Sequence, residues 1–325
     1  MKKTIKYIVS AALLLVVFAS CENKENRQHA LVPVSDLVSL MRDYSVMSSD
    51  ERAAAYDADS TAVKAFMLTL GVDEPTDSLL LAWSSSRAVE VFTPDVDSVF
   101  PDRNIVGKTL GMIIDNAASL DLGLPKRRYA AVVYGRPESV LFVDSVMLIA
   151  LNHYLGADYP GYSHLPHYQR AVKTPEQLPY DISEALVATE YPYEEGESAT
   201  LLSRMLYEGA LALAKTRLVD ASSPATALGY DEDTYQRLLK TEGDIWRTLV
   251  ENRLLYDISP TTSRKLLSPG PDVNLGNMNV PSRAGRFIGY RIVESYMRKH
   301  PETTLSELLS LSFYGTTVPL ESYLQ

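Results

Sequence analysis

The sequence runs to 325 residues with a formal charge of −10, 46% hydrophobic residues, 22% charged residues and one cysteine. That composition is globular rather than disordered, and its excess of acid argues against nucleic acid as a partner. A single Cys excludes both an internal disulfide framework and a Cys-based zinc ribbon.

Lys2, Lys3 and Lys6 precede an apolar run from Ile8 to Phe18. The run is short for a ~20-residue membrane span but suits the core of a signal peptide. Phe18-Ala19-Ser20-Cys21 then reads as a lipobox, with Phe18 where Leu is usual. An ordinary signal peptide or a short membrane anchor is the other reading, and the placement of the only Cys favours lipidation at Cys21. Residues 1–20 are thus expected to be a lipoprotein signal peptide, 21–34 a lipidated tether and 35–325 a single α+β domain, mostly helical with a small sheet. Cleavage removes three lysines and no acid, so the body becomes more acidic. It would be held at a membrane by acyl chains rather than by charge. With its one thiol lipidated, Cys catalysis is excluded.

Apolar periodicity predicts helices from Ser35, over 59–70, over 76–92 and over 105–120. The pattern then shortens. Runs at 129–134 and 139–143, separated by Gly135-Arg136-Pro137-Glu138, predict a hairpin, and 146–151 a third strand. A Pro-, Tyr- and His-rich connection over 160–179 ends at Thr174-Pro175-Glu176, a helix start. That helix stops near Pro192, and the next covers 197–217. Helices are also predicted over 231–240, 244–255, 282–299 and 305–311, with a Pro-, Gly- and Asn-rich loop over 259–280.

Motifs for phosphate cradles, dinucleotide binding, the nucleophile elbow and HExxH zinc sites are all absent. The five His include one close pair, His164 and His167, which would suit a metal if helical. Pro166 opposes a helix, so they read as polar loop residues. His153 at a strand end is a candidate general base, or a hydrogen-bonded structural residue. Glu208 borders an apolar helical stripe, and a recessed carboxylate needs a partner; its helical neighbour Arg204 is the expected one. No metal, cofactor or catalytic residue is assigned.

Several segments resemble the gliding-motility lipoprotein B (GldB) family of Bacteroidetes: 144–156, His167-Tyr168-Gln169-Arg170 with Thr174-Pro175-Glu176, Met205-Leu206-Tyr207-Glu208-Gly209-Ala210, Asp244-Ile245-Trp246, Asn252-Arg253-Leu254-Leu255-Tyr256, and 281–297. The resemblance covers roughly 30–325. It implies an envelope lipoprotein, anchored through Cys21 to the outer membrane, that supports gliding, protein secretion or envelope assembly by binding an envelope protein. A weaker resemblance is to predicted zinc proteases of the zincin type. Thr189 and Tyr193 would occupy their two His seats, Glu190 the catalytic Glu, Glu208-Gly209 the third ligand, and Gly289-Tyr290-Arg291-Ile292-Val293 a later helix. Thr and Tyr hydroxyls are poor substitutes for imidazole, and Pro192 should end the helix that sets the geometry. The resemblance therefore implies a degenerate, non-catalytic scaffold; the alternative is a peptidase-like hydrolase with an unidentified active site.

Overall fold

The computed structural model describes residues 29–196 and 199–323. The signal peptide, Cys21 and the tether up to residue 28 lie outside the described residues. The fold is that of the compact unit beginning at Leu31.

Strand β1 (Ser35–Asp36) leads into α1 (Leu37–Asp43), whose first turn is capped by the Asp36 carboxylate accepting from the Ser39 N–H at 3.1 Å. Helix α2 (Ser49–Leu68) starts ten residues before the predicted run because Ser48 and Glu51 form a capping box; its φ/ψ depart from helical at Asp59. The single run predicted over 76–92 is two helices, α3 (Asp77–Ser84) and α4 (Arg87–Val99), since the Ser86 side chain caps a new start. Helix α5 (Asn104–Ser119) follows, then strands β2 (Arg128–Val132), β3 (Val140–Val143) and β4 (Val146–Ala150).

The predicted hairpin pairs the wrong strands. The sheet order is β1-β2-β4-β3, with β1, β2 and β4 parallel and β3 antiparallel to β4. The tight turn is Asp144-Ser145, where Asp144 takes φ 51°. β2 and β4 are the central strands, and their continuous apolar sequence is what burial on both faces demands. Ala130, Val132, Val146, Leu148 and Ala150 face a core shared with α1, α2, α3 and α4. Tyr129, Ala131, Met147 and Ile149 face the larger core of the remaining helices. Beyond the strands, the Asn152 amide bonds both the N–H and the C=O of Tyr134.

Helices α6 (Leu178–Glu190), α7 (Leu201–Leu218), α8 (Glu232–Glu251), α9 (Pro260–Leu267) and α10 (Ala284–Lys299) build the second half. α8 replaces two predicted helices. The stripe of Tyr235, Leu238, Ile245 and Leu249 carries it through exposed Gly243, whose cost is only ~1 kcal/mol. The predicted loop over 259–280 instead holds α9 and a hairpin of β5 (Val273–Leu275) and β6 (Met278–Val280). Two single-turn helices, Leu305–Leu308 and Leu311–Tyr314, stand where one run was predicted.

The tightest helix crossing is α7 on α10. A Cβ on Gly289 would lie 1.8 Å from the Met205 carbonyl, and one on Gly209 2.3 Å from the Gly289 backbone. Glycine at both positions lets the two backbones touch.

Candidate functional site

β3 is an edge strand, half-buried where β4 is fully buried. The Ala150 N–H donates to the Ser139 carbonyl at 2.9 Å, which fixes the phase of the ladder. Val140 and Phe142 therefore direct their backbone N–H and C=O away from β4. Four successive residues, Ser139 to Phe142, form one wall of a cleft of about 550 Å³. A strand face would supply only alternate residues, so the cleft meets the strand along its edge.

The opposite wall is charged. On α6, Asp181, Glu184 and Ala188 fall on one stripe at helical spacing and all reach the cleft. Lys215 of α7 joins them, with Arg283 and Arg286 from the start of α10. The Lys215 side chain is 3% exposed and is hydrogen-bonded to the Glu184 carboxylate. Arg286, 15% exposed, bridges helices: Nη2 lies 2.6 Å from a Glu208 oxygen on α7 and 3.5 Å from Glu184 on α6. The α7–α10 contact at Gly209 and Gly289 sets that bridge, because Arg286 lies one turn before Gly289. Burial opposes ionisation of Glu184, but Lys215 and Arg286 outweigh it and hold its carboxyl down at about 2. Asp181 goes the other way. Burial pushes its carboxyl up, although Gln177 donates to it at 2.8 Å and the Tyr154 hydroxyl at 2.9 Å.

The residues singled out by the zinc-protease resemblance do not form one site. Thr189 lines the large cleft, and Glu190 is exposed at the last position of α6. Tyr193 lies past the helix end. Its hydroxyl is 2.7 Å from Ser203 Oγ, and its ring packs on Tyr207 and Tyr314 with centroids 5.4 and 5.2 Å away. Tyr193 and Glu208 do meet, at a separate cavity of about 270 Å³. The partner of Glu208 is Arg286 rather than Arg204. Arg204 is turned to Glu195, at 2.6 Å, and to the Tyr193 ring, at 4.8 Å.

His153 is buried, 3.1 Å from Ser139 Oγ and stacked on Tyr134. Burial, reinforced by nearby Lys173, pushes its imidazole down to about 3. It is neutral near pH 7, but far too weak a base for a general base poised there. His164 and His167 are exposed on short turns, His167 opening a four-residue helix just after Pro166. Among the described residues no three His, Cys, Asp or Glu side chains gather as a metal site. In the cleft Lys215, Arg283 and Arg286 stand beside Asp181 and Glu184.

Asp181, Glu184, Lys215, Arg283 and Arg286 were not singled out by sequence reasoning. One signal was available: Lys215 follows Gly209-Ala210-Leu211-Ala212-Leu213-Ala214, an apolar helix in which a lysine has no ordinary place without a partner.

No curated protein and no solved structure matches the chain. A family model described as gliding motility protein GldB matches residues 44–315, the greater part of the sequence, and the chain belongs to that family.

Proposed function

We propose that the protein is a non-catalytic envelope lipoprotein, anchored through Cys21 and placed in the outer membrane. It supports gliding, protein secretion or envelope assembly by holding an extended segment of a partner envelope protein along β3. The observation that carries this reading is the open edge of β3, with unpaired backbone groups at Val140 and Phe142 facing a recessed cleft. Strand addition at such an edge draws affinity from main-chain hydrogen bonds and specificity from the alternate side chains. Family membership supports the motility context. We read the scaffold as zincin-like and degenerate, an edge strand above a helix stripe, with Thr189 and Tyr193 in the two His seats. No catalytic step is assigned to Glu190 or Glu208.

Val140→Pro tests this reading. It removes an N–H that points outward and leaves the β3–β4 ladder intact, so the fold should survive. Leu141→Pro removes an inward N–H and should destabilise the sheet. In the native host, a photo-crosslinking residue at Leu141 should trap one envelope protein, and Val140→Pro should abolish the adduct and mimic loss of the gene. Full function of Val140→Pro would refute strand addition.

A further inference from the structure

Arg283 is built into the cleft at evident cost. It is 9% exposed, and its Nη1 donates to the Gly229 carbonyl at 2.9 Å. Its Nε has no partner, and among the described residues no carboxylate lies within ion-pairing distance. Lys215 and Arg286, by contrast, both hold carboxylates. Arg283 also takes the left-handed conformation, φ 65°, at the position before α10, where its own side chain makes no cap. Gly229 is left-handed too, at φ 81°, and a Cβ there would lie 1.8 Å from Arg283 Nη1. Only glycine leaves room for the guanidinium against that backbone.

A recessed guanidinium that feels Glu184 and Asp181 only at longer range, with no direct ion pair, is poorly compensated for its burial, and a left-handed arginine adds to the cost. Strain of this kind, kept in a cleft, points to a ligand. The same cleft has the β3 edge as its other wall. A strand added to β3 continues the sheet, so alternate side chains project toward α6 and the start of α10. A chain terminus would instead lie in the plane of the sheet.

We propose that Arg283 is the seat for a side-chain carboxylate, Asp or Glu, of the segment bound at β3. This rests on the strand-addition reading and names the chemistry of its occupant. The guanidinium presents a fork that matches a carboxylate. Lys215 and Arg286 take the direct contacts of Glu184 and Glu208, and Asp181 is held by Gln177 and Tyr154, which leaves the Arg283 fork without a direct carboxylate contact.

The test uses the full lipoprotein in detergent and dye-labelled, end-capped peptides read by fluorescence anisotropy at moderate salt. The probes are Thr-Glu-Thr-Glu-Thr, Thr-Gln-Thr-Gln-Thr, and the Gln peptide with a free C-terminal carboxylate. The Glu peptide should bind about tenfold tighter than the capped Gln peptide, the size of one charge-assisted pair. Arg283→Gln should erase that preference while leaving binding of the Gln peptide unchanged, and should melt no lower than the parent. Arg283→Lys, which keeps the charge without the fork, should fall between. Equal binding of the two capped peptides, with both lost in Val140→Pro, would overturn the carboxylate seat and leave strand addition standing. Tightest binding by the free-terminus peptide would also overturn it, in favour of a terminal carboxylate. A preference that survives Arg283→Gln would place the seat elsewhere. Failure of every peptide to bind would overturn both readings.

Discussion

Replacing Arg286 by Met removes a guanidinium that ties α10 to both α6 and α7 while keeping most of the side-chain volume. The Glu208 arm is short, 2.6 Å, and its carboxylate is only 23% exposed. The Glu184 arm is 3.5 Å, and Glu184 keeps Lys215 as a second partner. The loss should therefore come mainly from Glu208, left with no cation because Arg204 is engaged with Glu195. Breaking a buried pair by removing one partner costs about 3–5 kcal/mol. Partial exposure places the expected value at the lower end, about 3 kcal/mol, or a fall in Tm of about 5 °C for a body of this size. The assay is urea unfolding followed by fluorescence of Trp83 and Trp246; guanidinium chloride would itself screen the ion pairs. Adding Glu208→Gln should recover at least half of the loss, because the cost is an uncompensated carboxylate and not a missing contact. A loss below about 1 kcal/mol, or no recovery in the double variant, would refute the ion-pair origin of the bridge's stability.

The same cluster should set an acid limit. The folded Glu184 carboxyl sits at about 2 against an ordinary 4.5, so its contribution is complete above about pH 5 and disappears as pH falls from 4.5 through 2. After solvent screening this amounts to about 2 kcal/mol. Glu184→Gln should flatten the stability profile in that window, and an unchanged profile would show that Glu184 does not set the limit. Gly289→Ala should cost about 3 kcal/mol or more, since the new methyl meets the Met205 carbonyl and only backbone movement can relieve it. Circular dichroism melts of that variant check the backbone contact between α7 and α10, and an unchanged melting temperature would mean that the two helices do not touch there.

Helices with capping residues and clear stripes were readable from sequence. α5 and α10 fall within two residues of their predicted bounds, because one apolar face per helix is packed and the chain shows it. Strand pairing was not readable. β2 and β4 are buried on both faces, and a continuous apolar run carries no information about which neighbour it joins. α9 and the β5–β6 hairpin hide in a segment whose Pro and Gly content reads as loop, although Ser259-Pro260 is a proper helix start. The cleft was least visible. Its charges come from α6, α7 and the residues that open α10, about a hundred positions apart. What unites them is the glycine contact between α7 and α10, which no local pattern announces. The zinc-protease resemblance drew attention to Thr189 and Tyr193, whereas the helix places Asp181 and Glu184 toward the cleft and ends before Tyr193.

The strand order has a mechanical consequence. β1 forms one edge of the sheet and β3 the other, three strand spacings or about 14 Å apart. Tension on the chain at Leu31 would enter at β1, along the direction of a parallel pair with β2, and would load those hydrogen bonds in shear. A segment gripped at β3 would load the opposite edge. The two central strands between them would carry the force, so the sheet would act as a coupling whose two grips do not compete for the same edge.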